Sequence, residues 1–165
     1  MNKLIISNTE YKGLVSKICR DIVKSNWRPD YIVGITRGGL LPAVMISQYF
    51  DIKMNSLDIS LRDGGDCVTN CGMSSDAFDG KNILVVDDIN DTGATINWLI
   101  TNWEDSSHPG HNVWNKIWGH NVKFATVVDN LASECKISMD FVGMEVNKSE
   151  NDVWIEFPYE EWWTK

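Results

Sequence analysis

The chain has little positive charge and no basic cluster. Its 165 residues include 15 lysines and arginines against 23 aspartates and glutamates, which gives a net charge of −8. A duplex nucleic acid needs a basic surface to replace its counterions, so we expect no nucleic-acid partner. An acidic protein that binds a polyanion would instead use placed arginines, backbone N–H groups or a divalent cation.

Long hydrophobic runs are also missing. No stretch approaches the roughly 18 apolar residues of a membrane span, and the apolar stretch near the N-terminus is too short for a signal peptide. We therefore expect a cytoplasmic protein without a membrane partner. The length and the lack of internal repeats predict a single domain over residues 1–165.

Cysteine is scarce, and no C-x-x-C pair occurs. We expect free thiols in a reducing compartment at Cys19, Cys67, Cys71 and Cys135. The less favoured alternative is a disulfide or metal site at Cys67 and Cys71. A zinc site completed by histidines is less favoured still, because the histidines are far away in sequence: His108, His111 and His120.

The most informative stretch that is present covers residues 83–95 and reads ILVVDDINDTGAT. Four consecutive apolar residues, 83–86, are typical of a strand buried on both faces of a parallel sheet. Asp87 and Asp88 follow at its carboxyl end, where open α/β sheets bind ligands, and residues 96–100 can continue as a helix. The stretch predicts an α/β fold with a ligand site at this sheet edge.

The second half of this stretch is suited to phosphate binding. Its small residues let backbone N–H groups converge, its threonines add hydroxyl donors, and a helix start adds unpaired N–H groups. The carboxylates just upstream cannot hold a phosphate themselves, so they indicate a ligand with hydroxyl groups or a divalent cation. A phosphorylated sugar with Mg²⁺ meets both requirements.

Position by position, residues 83–95 resemble the 5-phosphoribosyl-1-diphosphate (PRPP) signature of the type I phosphoribosyltransferases, most closely the 6-oxopurine (hypoxanthine/xanthine-guanine) branch. The resemblance implies a mostly parallel central sheet flanked by helices, with a small C-terminal hood. It implies Asp91 as the catalytic acid/base that faces the base, and Mg²⁺ held by Asp87 and Asp88 through ribose or water. The implied PRPP contacts here are Asp87, Asp88, Asp91, Thr92, Gly93, Ala94 and Thr95.

A second glycine turn lies between a predicted strand at residues 31–35 and a predicted helix at 40–50, in which Val44 and Met45 should face inward. The turn, TRGG, resembles the pyrophosphate loop of the same family. The resemblance implies that Arg37, Gly38 and Gly39 hold the diphosphate of PRPP. In the family the peptide equivalent to Thr36–Arg37 is often cis.

The remaining N-terminal half carries less chemistry. We expect a structural helix capped by Thr9, with Tyr11, Leu14, Ile18 and Ile22 at helical spacing, and a strand at residues 52–60. Residues 61–80 are polar and glycine-rich. By resemblance they form a flexible loop that closes over the diphosphate, with contributions from Ser60 and Arg62; a loop without function is the alternative.

The C-terminal half begins with an insertion at about residues 103–121, whose Trp114 and Trp118 should pack onto the body or a second subunit. A buried strand follows at residues 122–128. Asn130 then stands where the purine enzymes usually present a lysine to the exocyclic oxygen of the base. An amide can donate or accept, so this departure leaves the accepted base open.

The hood is assigned to about residues 139–165, beginning with a strand at 139–145. The sequence DVWIEFPYE resembles the family's W-I-x-x-P-W-(D/E) segment. By that match Trp154 stacks on the base, and the backbone near Ile155 and Glu160 reads its edge; Trp154 as a core residue is the alternative. The acidic and aromatic residues 161–163 should dock onto the body or a partner chain.

The resemblance as a whole implies an enzyme of purine salvage and nucleotide metabolism. It would transfer 5-phosphoribosyl from PRPP to hypoxanthine, guanine or xanthine with Mg²⁺, giving the nucleoside monophosphate and pyrophosphate. Relatives assemble, so a homodimer or homotetramer is expected. The alternatives are a phosphoribosyltransferase for another base and a catalytically inactive PRPP-sensing regulator.

Overall fold

The chain forms an α/β fold around a parallel sheet. A computed structural model describes residues 1–59 and 71–165. Over these residues the strands are β1 (Asn2–Ile5), β2 (Tyr31–Thr36), β3 (Met54–Asp58), β4 (Ile83–Asn90), β5 (Val122–Asn130), β6 (Phe141–Val146) and β7 (Val153–Glu156). The helices are α1 (Asn8–Lys24), α2 (Leu40–Phe50), α3 (Cys71–Phe78) and α4 (Ala94–Ser106), with short 3-10 helices at Asn112–Lys116 and Trp162–Thr164.

Strand β4 occupies the middle of the central sheet. The order is β3-β2-β4-β5-β6, and all neighbouring strands are parallel. Leu84 and Val86 enter the apolar core on one face of the sheet, while Ile83 and Val85 enter the core on the other. The predicted strand buried on both faces is therefore confirmed, and its carboxyl end brings the acidic residues to the sheet edge.

Helices cover both faces of the sheet. Ile18 of α1 and Ile46 of α2 pack in the core with Leu84, whereas Ala77 of α3 and Leu99 of α4 pack on the opposite face. This two-sided cover explains why the central strands have continuous apolar runs rather than alternating patterns.

Two local predictions about these helices are wrong. Helix α1 is capped by Ser7 rather than Thr9, because the Ser7 Oγ accepts from the Glu10 backbone N–H and the Glu10 carboxylate accepts from the Ser7 N–H. In α2, Val44 is 44% exposed. Ala43 and Ile46 are buried, and Met45 is half-buried and packs against the core, so the prediction of an inward face is wrong for Val44 alone.

A second, two-stranded sheet is formed by β1 and β7, which pair in parallel from opposite ends of the chain. The Lys3 Nζ lies 2.9 Å from the Glu156 Oε2, and the Lys165 Nζ lies 3.1 Å from the Oε1. Strand β6 belongs to the central sheet, so the segment 139–165 is divided between the two sheets. We call the β1–β7 pair the small sheet.

The predicted loop and insertion are partly helical. Residues 71–78 of the 61–80 segment form α3. Residues 60–70, which include Ser60, Arg62 and Cys67, lie outside the described residues. Residue 103 is buried within α4, so regular structure continues into the predicted insertion. Trp114 is buried, and its ring stacks on that of Trp118 with centroids 5.5 Å apart. Their predicted packing onto the body is confirmed.

Two further sequence expectations can be compared with the described residues. Cys19 and Cys135 are free thiols, and burial raises the pKa of Cys19 to about 11. Within the described ranges, we find no helix with the length and apolar character needed to span a bilayer.

Candidate active site

A cavity of about 580 Å³ opens where β2 and β4 end, and residues of the small sheet line its other side. From the end of β2 and beyond β3 its wall includes Ile35, Thr36, Arg37, Gly38 and Ile59. From β4 and the start of α4 it includes Asp87, Asp88, Ile89, Asp91 and Thr95. The C-terminal part contributes Lys148, Trp154, Ile155, Phe157, Tyr159, Glu160, Glu161 and Trp163.

The turn after β2 brings backbone close to the acidic residues. Its Thr36–Arg37 peptide is cis, and Arg37 is exposed at the cavity wall. A Cβ atom added to Gly38 would collide with the Asp88 carboxylate, and one added to Gly39 would collide with the Val86 carbonyl oxygen. Only glycine fits this close approach.

The two adjacent acids at the end of β4 are held in fixed orientations. The Asp88 backbone N–H donates to the Asp87 Oδ1 at 2.9 Å, and the Ile89 N–H donates to the Asp88 Oδ1 at 2.8 Å. The Tyr159 Oη donates to the Asp88 Oδ2 at 2.6 Å. The pKa of Tyr159 is raised far above its ordinary value, mainly by burial and secondly by the negative charge of Asp88. The phenol therefore keeps its proton and remains a donor.

The turn between β4 and α4 has the conformation that its glycine allows. Gly93 precedes α4 with φ of 87°, and a Cβ atom there would collide with the Cys135 backbone. The Thr92 hydroxyl accepts from the Ala94 N–H at 3.3 Å. Of residues 91–95, Asp91 and Thr95 line the cavity, and the three residues between them form the turn that leads into α4.

Asn130 lies outside this wall. Its side chain is buried, and its Nδ2 donates to the Asp91 carbonyl oxygen at 2.9 Å. Its Oδ1 accepts from the backbone N–H groups of Ala132 and Lys148, each at 3.1 Å. The amide thus binds three backbone segments together instead of facing the cavity.

Lys148 is a site residue that the sequence interpretation missed. It lies in the turn after β6, and its Nζ is 2.9 Å from the Asp91 Oδ1 at the cavity wall. A signal was available, because β4, β5 and β6 are neighbouring parallel strands whose carboxyl ends share one edge. A lysine two residues after β6 is therefore delivered to the same edge as Asp91.

The small sheet places the predicted hood residues at the cavity. Trp154, Ile155 and Glu160 all line it, and Trp154 is 41% exposed, which argues against a core role. The Glu160 Oε2 accepts from the Phe157 N–H at 2.7 Å. Trp162 and Trp163 are both exposed, so docking of these two residues onto the body is not found, and their docking onto a partner chain stays a prediction.

A cis peptide at a glycine turn, acids at the end of β4 and a glycine-started helix thus meet at one cavity. The family model described as "Phosphoribosyl transferase domain" matches residues 6–162. The chain belongs to the phosphoribosyl transferase family. The fold predicted from the PRPP signature is confirmed.

Similarity to known proteins extends over much of the chain but is low in identity. Xanthine phosphoribosyltransferase 1 of Saccharomyces cerevisiae is 24% identical over 70% of this chain and 66% of its own length, just under two thirds. The bifunctional protein PyrR of Streptococcus pyogenes is 26% identical over 89% of this chain and 84% of its own. A solved purine phosphoribosyltransferase from Pyrococcus horikoshii shares the fold, with a TM-score of 0.68, 22% identity and coverage of 98% and 96%.

Proposed function

We propose that this chain transfers the 5-phosphoribosyl group of PRPP to a 6-oxopurine, namely hypoxanthine, guanine or xanthine, in purine salvage. The products are the nucleoside monophosphate and pyrophosphate. The observation that carries the proposal is the single cavity at which the Arg37 turn, the acids of β4 and Trp154 of the small sheet meet. These three parts suit a diphosphate, a sugar and a planar base, respectively.

In the proposed binding mode, PRPP lies along the sheet edge. The 5-phosphate would accept hydrogen bonds from the start of α4 and the Thr95 hydroxyl, where the helix presents unpaired N–H groups. The ribose hydroxyls would donate to Asp87 and Asp88. Arg37 and the amides of the turn after β2 would stabilise the negative charge of the diphosphate.

The proposed transfer breaks the bond between C1′ of the ribose and the diphosphate oxygen, whose electron pair leaves with pyrophosphate. The lone pair of the base N9 forms the new bond to C1′. The proton on N7 of the base passes to the Asp91 carboxylate, which balances the reaction. Asp91 is suited to this role because it is a carboxylate that lines the cavity.

Mg²⁺ fits this chemistry as an ion that arrives with PRPP. Among the described residues, no group of three or more His, Cys, Asp or Glu side chains is arranged to hold a metal unaided. Mg²⁺ needs only one or two carboxylates when phosphate oxygens and water complete its shell, and Asp87 and Asp88 offer such oxygens. When bound, the ion would neutralise charge on the leaving diphosphate.

Trp154 would stack on the base from the side of the small sheet, and the backbone at Ile155 and Glu160 would read the edge of the base. Stacking needs an exposed ring face, and Trp154 is 41% exposed while lining the cavity. Ile155 is buried, so its contribution would come from its backbone.

A second candidate is a PRPP-binding regulator that has no transfer activity. The similarity to the Streptococcus pyogenes protein, which is named bifunctional and whose alignment covers 89% of this chain, points to a second role that a protein without transfer activity would keep. A phosphoribosyltransferase for another base is a variant of the first proposal, since the usual lysine position holds Asn130.

The test is pyrophosphate release from PRPP and Mg²⁺ with a panel of hypoxanthine, guanine, xanthine, adenine, uracil and orotate. Release with a 6-oxopurine supports the proposal, while release with only uracil, orotate or adenine assigns another base. If PRPP raises the melting temperature but no base releases pyrophosphate, the regulator is correct and the transferase proposal is wrong.

A further inference from the structure

We propose that Lys148, from the turn after β6, determines base specificity in place of a residue at the end of β5, and selects bases with an exocyclic oxygen. The inference rests on the proposed function, because it names the group that would recognise the base in that site. It begins from the ion pair between the Lys148 Nζ and the Asp91 Oδ1, 2.9 Å apart at the cavity wall.

The Asn130 side chain is hydrogen-bonded to backbone groups and does not face the cavity. Its Nδ2 donates to the Asp91 carbonyl oxygen, and its Oδ1 accepts from two backbone N–H groups, one of which belongs to Lys148 itself. Turning this amide toward a base would break all three of these hydrogen bonds. Asn130 therefore acts as a positioning residue that holds the Lys148 backbone beside the turn at Asp91.

Lys148 is placed where a base-recognising donor is needed. Its side chain is 18% exposed and that of Asp91 is 25% exposed, so the pair is partly shielded at the cavity wall. Of the described residues that line the cavity, Arg37 and Lys148 carry positive charge, and Arg37 belongs to the turn after β2. Among the described residues of the cavity wall, Lys148 is therefore the positively charged residue next to Asp91, the proposed proton acceptor.

An ammonium group donates hydrogen bonds and accepts none. The contact with Asp91 uses one of its three N–H groups, and the others can point to an oxygen on the base. An exocyclic amino group at the same place would present N–H to N–H and would leave the other two ammonium N–H groups without an acceptor. Buried polar groups left unpaired are the strongest source of discrimination in such sites. The pocket chemistry thus selects a 6-oxo group over a 6-amino group.

The test compares Lys148→Met with Lys136→Met, a change at an exposed lysine that does not line the cavity. The first readout is binding of inosine 5′-monophosphate and adenosine 5′-monophosphate by calorimetry, which needs no turnover. We expect the unmodified protein and Lys136→Met to prefer the inosine nucleotide by about tenfold or more. Lys148→Met should lose that preference, and Lys148→Arg should restore part of it.

The second readout is the KM for the accepted 6-oxopurine, which should rise about tenfold in Lys148→Met while the KM for PRPP stays within about twofold. Equal binding of both nucleotides by the unmodified protein would overturn the inference, as would an unchanged preference in Lys148→Met. Absence of pyrophosphate release with every base contradicts the proposed function separately, because the binding comparison does not depend on catalysis.

Discussion

The Tyr159 Oη lies 2.6 Å from the Asp88 Oδ2 and joins the end of the small sheet to the end of β4. The ring of Tyr159 also stacks on Phe157, with centroids 5.5 Å apart. The phenol thus links the part of the molecule proposed to hold the base with an acid proposed to hold the ribose. This contact would therefore help to position the base and the ribose of PRPP relative to each other.

Removing that hydroxyl should weaken PRPP binding. In Tyr159→Phe the charged Asp88 carboxylate loses a hydrogen bond that is worth about 1.5–3 kcal/mol, so the KM for PRPP should rise about tenfold or more. Steady-state kinetics at saturating base measure this. Tyr49→Phe is the control because Tyr49 is exposed and contacts Phe50 rather than the cavity. Equal KM values in the two variants would show that the contact does not orient Asp88.

Asp91→Asn should separate chemistry from binding. An amide keeps the size of the side chain but cannot take the proton from the base, so kcat should fall about 10²-fold or more. The PRPP-induced rise in melting temperature should remain, because the phosphate contacts lie elsewhere. Single-turnover rates and thermal shifts check both parts. Turnover within a few-fold of the unmodified enzyme would remove Asp91 from the acid/base role.

Gly93→Ala should destabilise the protein more than a positive φ alone explains. Gly93 and Gly80 have similar φ angles, 87° and 90°, but a Cβ atom meets the Cys135 backbone at the first and open space at the second. Gly80→Ala should therefore lower the free energy of unfolding only by the cost of a positive φ in alanine, about 1–2 kcal/mol. Urea unfolding of both variants measures the difference. Equal losses would mean that the turn before α4 can move away from Cys135.

The small sheet should loosen in acid. Hydrogen bonds from Lys3 and then Lys165 lower the pKa of Glu156, so its contribution to the free energy of unfolding is present above the unfolded pKa of about 4.3. That contribution is lost as pH falls through the lower folded pKa. The unmodified protein should melt above Glu156→Gln near neutral pH, and the gap should close in acid.

Melting temperatures from about pH 6 to about pH 3 measure this gap. Glu145→Gln is the control, because Glu145 is an exposed carboxylate of β6 in the central sheet. A gap for Glu156→Gln that stays constant with pH would show that the paired carboxylate is not its source.

The central sheet could be predicted because its strands are locally distinctive. Residues 83–86 are apolar without alternation, since helices cover both faces of β4. The acids and the glycine turn after it also follow from chain order alone. The helix start at α4 and the turn after β2 were predictable for the same reason: each is a short contiguous segment whose conformation depends on its own glycines.

The small sheet could not be predicted in the same way. Strand β1 is four residues long, mostly exposed, and pairs with β7 about 150 residues later, so its sequence has no amphipathic period to detect. From the sequence, the hood is therefore predicted over the C-terminal segment alone, without β1.

Lys148 and Asn130 show a similar limit at the site. A lysine in a polar turn has no distinctive local pattern, and its role depends on an aspartate 57 positions earlier in the chain, 148 against 91. Asn130 had the right position in sequence, but its amide is used by backbone groups of the turn that carries Lys148. The proposed replacement of Asn130 by Lys148 as the residue that recognises the base can be inferred only when these distances are known.

The central claim is that PRPP lies along the carboxyl edge of β2 and β4. A crystal structure of the protein with PRPP and Mg²⁺ tests it most directly. The account predicts the 5-phosphate at the start of α4 near Thr95, the diphosphate at Arg37 and Gly38, and the ribose hydroxyls at Asp87 and Asp88. PRPP bound away from this edge, or an unliganded edge at saturating PRPP, would contradict it.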